Sequence, residues 1–286
     1  MSDSSDTTKK KRAAFLAQQY QLQVLNPSLQ LVTPGEMALL KAYDYICNPP
    51  CDTAGSLYFA GTTPAYLLTA NSADFTIGTR DFTIEWWQRL ENGYRWPRPF
   101  AIGNYLTNEV IALSLETDPT NYLVRSLYLI QNGVKYYYGD FGGASATLPL
   151  ATVVNTWCHF AIVGRNRTAT IYVNGTPFLG SGHGETQLTS YNFVNSTTTY
   201  PFLSLGGGFP VFTDSIYKGA IKGFRWTLNN ALYTAAFTPT RSALPSLNGT
   251  KLLLNTNLSQ PYNDTSTLQR NTIVTKDTVT WQQVSP

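Results

Sequence analysis

The chain has 286 residues, 43% of them hydrophobic and 13% aromatic, with only 13% charged and a formal net charge of +3. Charge at about half the roughly 25% of an average soluble domain, beside this much apolar material, excludes disorder over the bulk of the chain. No apolar run approaches the ~18 residues of a membrane-spanning helix, and 21 Gly, 16 Pro and 3 Cys fit neither a collagen nor a disulfide-dense scaffold.

The positive excess is concentrated at the start, where Lys9, Lys10, Lys11 and Arg12 face only Asp3 and Asp6. The rest is nearly neutral, whereas a folded nucleic-acid reader carries a basic face. Contact with nucleic acid, anionic lipid or an acidic partner groove is therefore confined to this tail, which otherwise reads as a solvated extension. The opening residues lack the apolar segment of a secretory signal. With an odd number of cysteines, that argues for reduced thiols. Cys47 and Cys51 read as structural, since two histidines and three cysteines do not assemble the ligand spacing of a metal site.

Residues 11–25 carry Phe15, Leu16, Tyr20 and Leu22 and read as a short helix that Asn26-Pro27 interrupts. Thr33-Pro34-Gly35-Glu36 then fits a capping box with Pro34 at the first helical position. Leu39, Leu40, Tyr43 and Ile46 follow on one face, up to the stop at Asn48-Pro49-Pro50. Two short amphipathic helices with no partner of their own make residues 1–52 an anchoring extension. Its docking residues are Lys9, Lys10, Lys11, Arg12, Phe15 and Leu16.

From Ser56 onward the apolar period becomes two. Leu57-Tyr58-Phe59 and Tyr66-Leu67-Leu68 read as strands, and Phe82, Ile84 and Trp86 alternate with Thr83 and Glu85 as a half-buried strand. Leu127 to Ile130 turns at Asn132-Gly133 and returns through Tyr136-Tyr137-Tyr138. His159 to Val163 pairs with Thr170 to Val173, and Asn174-Gly175 is a strong hairpin signal. Phe202 to Leu205, Lys251 to Leu254 and Thr272 to Trp281 add further strands. In Gly219 to Trp226 the alternation breaks, because Ile221 and Phe224 lie three apart around Gly223, which predicts a β-bulge. About a dozen short strands with turn-rich links predict an antiparallel sandwich over residues 53–286.

Three segments carry a family resemblance: Asp81-Phe82-Thr83-Ile84-Glu85-Trp86-Trp87 after the turn Ile77-Gly78-Thr79; Trp157-Cys158-His159-Phe160-Ala161-Ile162 with Arg165 and Tyr172-Val173-Asn174-Gly175; and Gly219 to Arg225 followed by Ala231, Tyr233-Thr234 and Phe237-Thr238-Pro239. In order and spacing, over roughly residues 55 to 258, they resemble the laminin-G-like branch of the concanavalin-A-like lectin/glucanase superfamily. More weakly, Leu252 to Leu254 and Asp264 are similar to its closing strands. The resemblance implies an all-β, antiparallel jelly-roll sandwich, to which the N-terminal extension is external. The Tyr-Thr…Phe-Thr-Pro form resembles modules of bacteriophage tail and fibre proteins and of large DNA-virus structural proteins. Trp86 and Trp157 read as core fillers, His159 as structural, and Arg165 and Arg225 as donors to loop carbonyls.

The glucanase branch works with carboxylates in a Glu-x-Asp-x-x-Glu run, which this chain lacks. Asp81 and Glu85, on one strand face, have backbones about 13 Å apart, beyond the ~5–9.5 Å between paired glycosidase carboxyls. They read as surface or loop-bonding acids. A nucleophile elbow is absent, Cys158 and His159 point to opposite faces of a strand, and Gly180 to Gly184 lacks the Lys-Ser/Thr ending of a phosphate loop. Binding chemistry is better placed in the loop after the signature strand. There Tyr94 and Trp96 alternate with Arg95 and Arg98 among prolines, the residue types that interfaces enrich.

The expectation is a non-enzymatic virion structural protein, a minor capsid, cement or tail component assembled in the host cytoplasm. Its partners would be other virion proteins contacted through residues 1–52, and it needs no cofactor or metal. Calcium, which some relatives bind through variable loops, stays open. A carbohydrate-binding attachment lectin using Tyr94, Arg95, Trp96 and Arg98 is the alternative reading, and a glycoside hydrolase a remote one.

Overall fold

Strand-forming alternation between short turns produces fifteen strands among the described residues. They are β1 (Ser56–Ala60), β2 (Tyr66–Leu68), β3 (Phe82–Leu90), β4 (Phe100–Asn104), β5 (Asn108–Asp118), β6 (Leu123–Gln131), β7 (Val134–Asp140) and β8 (Trp157–Arg165). The chain continues through β9 (Thr168–Val173), β10 (Thr176–Phe178), β11 (Leu203–Leu205), β12 (Lys218–Leu228), β13 (Thr250–Leu254), β14 (Val274–Lys276) and β15 (Val279–Gln282). The computed structural model describes residues 55–61, 65–91, 96–104, 108–118, 123–132, 134–140, 155–178, 188–193, 201–207, 216–256, 262–267, 274–276 and 279–282. The chain divides into two units, Met1–Ala54 and Gly55–Pro286. The expected helices and the docking residues Lys9, Lys10, Lys11, Arg12, Phe15 and Leu16 lie outside the described residues, as do Cys47 and Cys51.

The strands form two antiparallel sheets. One runs β10-β9-β8-β3-β12-β1-β15, with β13 also paired to β12; the other runs β14-β2-β11-β4-β5-β6-β7. β1 and β2, consecutive in the chain, therefore belong to different sheets, as do β14 and β15, so each short link carries the chain across the sandwich. Inward residues of both sheets meet in one core: Phe82, Ile84 and Trp86 of β3, Phe160 and Ile162 of β8, Phe224 and Trp226 of β12, and Phe100 and Leu113 of the opposite sheet. Trp86 is fully buried, stacked on Phe160 at 5.6 Å and edge-on to Phe100 at 5.2 Å, and its indole N–H donates to Gln88 Oε1 at 2.8 Å. Trp157 is only half-buried, so the second large tryptophan of the core is Trp226.

The bulge expected in β12 is present. Its register against β3 shifts between Lys222 and Arg225, and Gly223 adopts φ +63°. The extra residue returns Phe224 to the core after Ile221 and turns Arg225 outward. The expected hairpins resolve into two successive turns. Asn166 and Arg167, at φ 48° and 63°, join β8 to β9, and Asn174-Gly175, at 50° and 78°, joins β9 to β10. Both turns have the left-handed pair that two-residue hairpins prefer. β4 and β5, which the sequence reading leaves out, follow the Pro97–Pro99 stretch.

β3 differs from the half-buried expectation, because it is buried on both faces. Its inner face packs on the opposite sheet, while residues 230–247 form a strap over its outer face. Thr83 Oγ1 donates to Asn230 O and accepts from Leu232 N–H, both at 3.0 Å, and Tyr172 Oη donates to Tyr233 O at 3.3 Å. Phe237 N–H donates to Gly175 O at 2.9 Å, Trp87 Nε1 to Thr240 O at 2.8 Å and Lys222 Nζ to Arg241 O at 3.1 Å. Side chains and a turn carbonyl of the sheet thus bond backbone groups of an irregular segment that makes no strand pairing of its own.

Gly175 is the tightest point of this arrangement. A Cβ there would lie 1.8 Å from Phe237 O, and φ is +78°. Gly175→Ala is expected to cost at least the ~1–2 kcal/mol of a left-handed non-glycine residue and to loosen the strap. Denaturant unfolding would show the lowered midpoint, and limited proteolysis faster cleavage within residues 230–247.

Candidate binding site

Under the strap, β3 contributes Glu85, β8 His159 and β12 Arg225, all on the outer face of the sheet. Glu85 is 0% exposed, and both of its carboxylate oxygens are engaged. Arg225 donates to Oε1 through Nε at 2.7 Å and through Nη2, while Tyr233 Oη donates to Oε2 at 2.7 Å. His159 Nε2 lies 3.4 Å from Oε2, and its ring sits edge-on between Trp87 and Phe237. Arg225 also donates to Pro245 O at 2.8 Å, so it joins sheet, carboxylate and strap. Burial pushes the Glu85 carboxyl up, but the His159 hydrogen bond, the Arg225 charge and the Tyr233 hydroxyl outweigh it and hold it below the ordinary value.

Asp81 and Glu85 do not form a pair. Asp81 precedes β3 and accepts from Asn166 N–H at 2.9 Å, a loop-bonding acid as expected; Glu85 is neither surface nor loop-bonding. Burial raises the Cys158 thiol to about 11 against a weaker opposing bond with Asn174, so it is protonated and turned into the core, away from His159. Among the described residues no group of three His, Cys, Asp or Glu could hold a metal ion. None of the described helices is long and apolar enough to cross a membrane.

Of the proposed binding loop, Tyr94 and Arg95 lie outside the described residues. Trp96 is half-buried and Arg98 is 2% exposed, which withdraws its guanidinium from solvent. Leu115 N–H donates to Pro97 O at 3.0 Å and Gly206 N–H to Pro99 O at 2.9 Å, lacing this stretch to the sheet. Phe100 is part of the core. His183 and its glycine-rich loop lie outside the described residues.

A cleft opens where the strap ends on the outer face of β8 and β9. The strap packs Ala231, Tyr233 and Phe237 against Ala161, Val163 and Tyr172, with Tyr233 and Phe237 stacked at 3.6 Å. Thr170 and the row Arg165–Thr168, with the buried Val163 beneath them, floor a cleft of about 270 Å³. Tyr172, Tyr233 and Thr234 form the wall on the strap side, and Asn166 closes the turn end. Arg165 is exposed, and among the described residues it bonds no loop carbonyl, unlike Arg225. Sequence reasoning missed this cleft. The residues were visible as an alternating strand pair, but the gap depends on where the strap stops.

A two-sheet antiparallel sandwich with a strapped outer face and a polar cleft defines a lectin-like β-sandwich protein. Residues 61–232 match the profile of the concanavalin A-like lectin/glucanases superfamily in its laminin-G-like form. The match spans more than half of the chain, and the chain belongs to this family. Among solved structures it is similar to a protein of Bacteroides ovatus assigned to carbohydrate binding, with 16% identity and TM-score 0.53 over 82% of this chain and 61% of that one. It is also similar to a heptameric SAP-like pentraxin of Limulus polyphemus, with 12% identity and TM-score 0.46 over 82% of this chain and 94% of that one. Domains LG4–5 of the mouse laminin α1 chain align at 13% identity and TM-score 0.38 over 68% and 47%. The chain thus spans less than two thirds of the Bacteroides and laminin chains. No curated protein sequence matches it.

Proposed function

We propose that this chain is a non-enzymatic, lectin-like binding module. The family joins lectins with glucanases, and the observation that separates the two here is the state of Glu85. A glycosidase needs one carboxyl to give a proton and another at a set distance to act as base or nucleophile. Glu85 is sealed beneath the strap with Arg225, His159 and Tyr233 on its oxygens, and Asp81 is tied to a turn. A carboxylate held this way braces the fold and has no route to a glycosidic oxygen. Incubated with a panel of polysaccharides, the full chain is expected to be retarded by at least one in affinity electrophoresis while releasing no reducing ends. Reducing-end release that disappears in a folded Glu85→Gln variant would overturn this reading.

The setting we propose is a virus particle assembled in the host cytoplasm. The sandwich would act there as a minor capsid, cement or tail component, docked to other virion proteins through residues 1–52. What supports it is the separate unit Met1–Ala54 with the basic tract and apolar residues of its sequence, together with a body whose sparse charge is cheap to desolvate at a contact. Changing Phe15 and Leu16 together to Asp in the full chain is expected to abolish higher-order association in sedimentation velocity. Unaltered association, or a wild-type chain that stays monomeric at all concentrations, would remove the assembly role.

A further inference from the structure

Among the described residues the arginines of the sandwich are almost all committed. Arg80 donates to the carbonyls of Thr76 and Ile77, Arg89 pairs with Glu91, Arg167 donates to Ser190 O and Tyr191 O, and Arg225 holds Glu85. Arg98 is buried, and Arg241 lies over the Trp87 ring at 5.9 Å. Arg165 differs: it is exposed at the rim of the cleft, and among the described residues no carboxylate or carbonyl partners it. Its charge reaches the neighbouring Tyr172 hydroxyl, which burial raises and Arg165 lowers.

The surroundings of that cation suit a sugar. Thr168 and Thr234 supply hydroxyls, Asn166 an amide, and the half-buried Tyr233 an aromatic wall. The Tyr233 phenol oxygen is already spent on Glu85 Oε2, so its ring offers carbon surface to a ligand. The floor is rigid, since the Asn166–Arg167 turn is clamped by Asp81 below and by Ser190 and Tyr191 beside it. A site built on paired strands and a locked turn loses little entropy on binding. The two rows of the floor span about 7 Å along the strands. A volume of about 270 Å³ lies just under the ~300–1,000 Å³ of drug-sized pockets, so the cleft accepts one ring rather than a chain.

We propose that this cleft binds a single carboxylate-bearing sugar ring of an acidic glycan. Arg165 takes the carboxylate through its planar fork, Thr168, Thr234 and Asn166 bond the ring hydroxyls, and the Tyr233 ring faces its apolar side. The assignment rests on the lectin-like reading of the chain and names the ligand class for it.

The test passes the full chain over agarose bearing glucuronic acid, glucuronamide, glucose or an acidic peptide. Retention on the glucuronic acid resin is expected, with roughly ten- to hundredfold weaker binding to the amide and glucose resins, the scale of a lost charged hydrogen bond. Arg165→Gln should lose the same factor with an unchanged melting midpoint, Arg165→Lys should retain part of the binding, and Arg241→Gln should bind as wild type. Equal retention on glucose and glucuronic acid would overturn the acidic-sugar assignment while leaving the lectin-like reading intact. So would retention on the acidic sugar that Arg165→Gln does not weaken. Arg165-dependent retention on the peptide resin alone would make the occupant a protein. A chain that binds none of these resins and no member of a broad glycan array would remove both the assignment and the lectin-like reading.

Discussion

Glu85→Gln is expected to cost about 3–5 kcal/mol of folding stability, because it leaves the Arg225 guanidinium buried without its counter-charge. Arg225 has a side-chain exposure of 4% and Glu85 of 0%, so water cannot replace the lost partner. Urea unfolding of the two proteins would measure the difference. The pair as a whole is a different matter, since a buried ion pair is often no better than an apolar replacement of similar volume. The double variant Glu85→Leu/Arg225→Met is therefore expected to recover much of the loss. Additive losses in the double variant would show that the cost comes from packing rather than from an unpaired charge.

The same carboxylate gives the stability a pH dependence with a defined sign. Its pKa is lowered in the folded chain, first against the opposing effect of burial and then by His159, Arg225 and Tyr233. The unfolded chain therefore binds this proton more readily, and the contribution of Glu85 is fully present above the ordinary glutamate value of ~4.3. It is lost as pH falls through and below that value. Wild-type stability should drop over this acidic range more steeply than that of Glu85→Leu/Arg225→Met, and parallel profiles would contradict the assignment.

Trp86→Ala is expected to be comparably damaging, by about 3–5 kcal/mol, for a purely apolar reason. The indole fills the centre of the sandwich between Phe160, Phe100 and Phe224, contributed by both sheets. Removing it opens a cavity that flat, hydrogen-bonded sheets cannot collapse to fill. It also strands the Gln88 amide oxygen that accepts its N–H. The midpoint of thermal or urea unfolding reads the effect. Trp157→Ala, at a half-buried position, should cost clearly less.

Most of the sandwich was legible in the chain because period-two alternation and turn chemistry act locally. The β6–β7 hairpin, the Asn174-Gly175 turn and the Gly223 bulge all announce themselves within a few residues. β4 and β5 were not legible. The Trp96–Phe100 stretch reads as an aromatic, arginine-rich loop, yet Phe100 starts a strand that belongs to the core. Likewise Arg98 has the composition of an interface residue and the burial of a structural one, since composition carries no information about which side of a sheet edge a chain passes. Tyr233 and Phe237 were visible as a family marker. Their work, capping the outer face over Tyr172 and sealing Glu85, was not.

The sequence by itself determined the class of this protein: an antiparallel sandwich of the laminin-G-like kind, sparsely charged, with an N-terminal segment outside the family's bounds. Periodicity, turn residues and motif order are properties of neighbours in the chain, so they survive without coordinates. Only the tertiary structure decided which acid is buried, which arginine is left exposed and where a cleft opens. Those outcomes hang on contacts between residues far apart in sequence, Glu85 with Arg225 and Tyr172 with Tyr233, and on the point at which a strap with no regular structure stops covering the sheet.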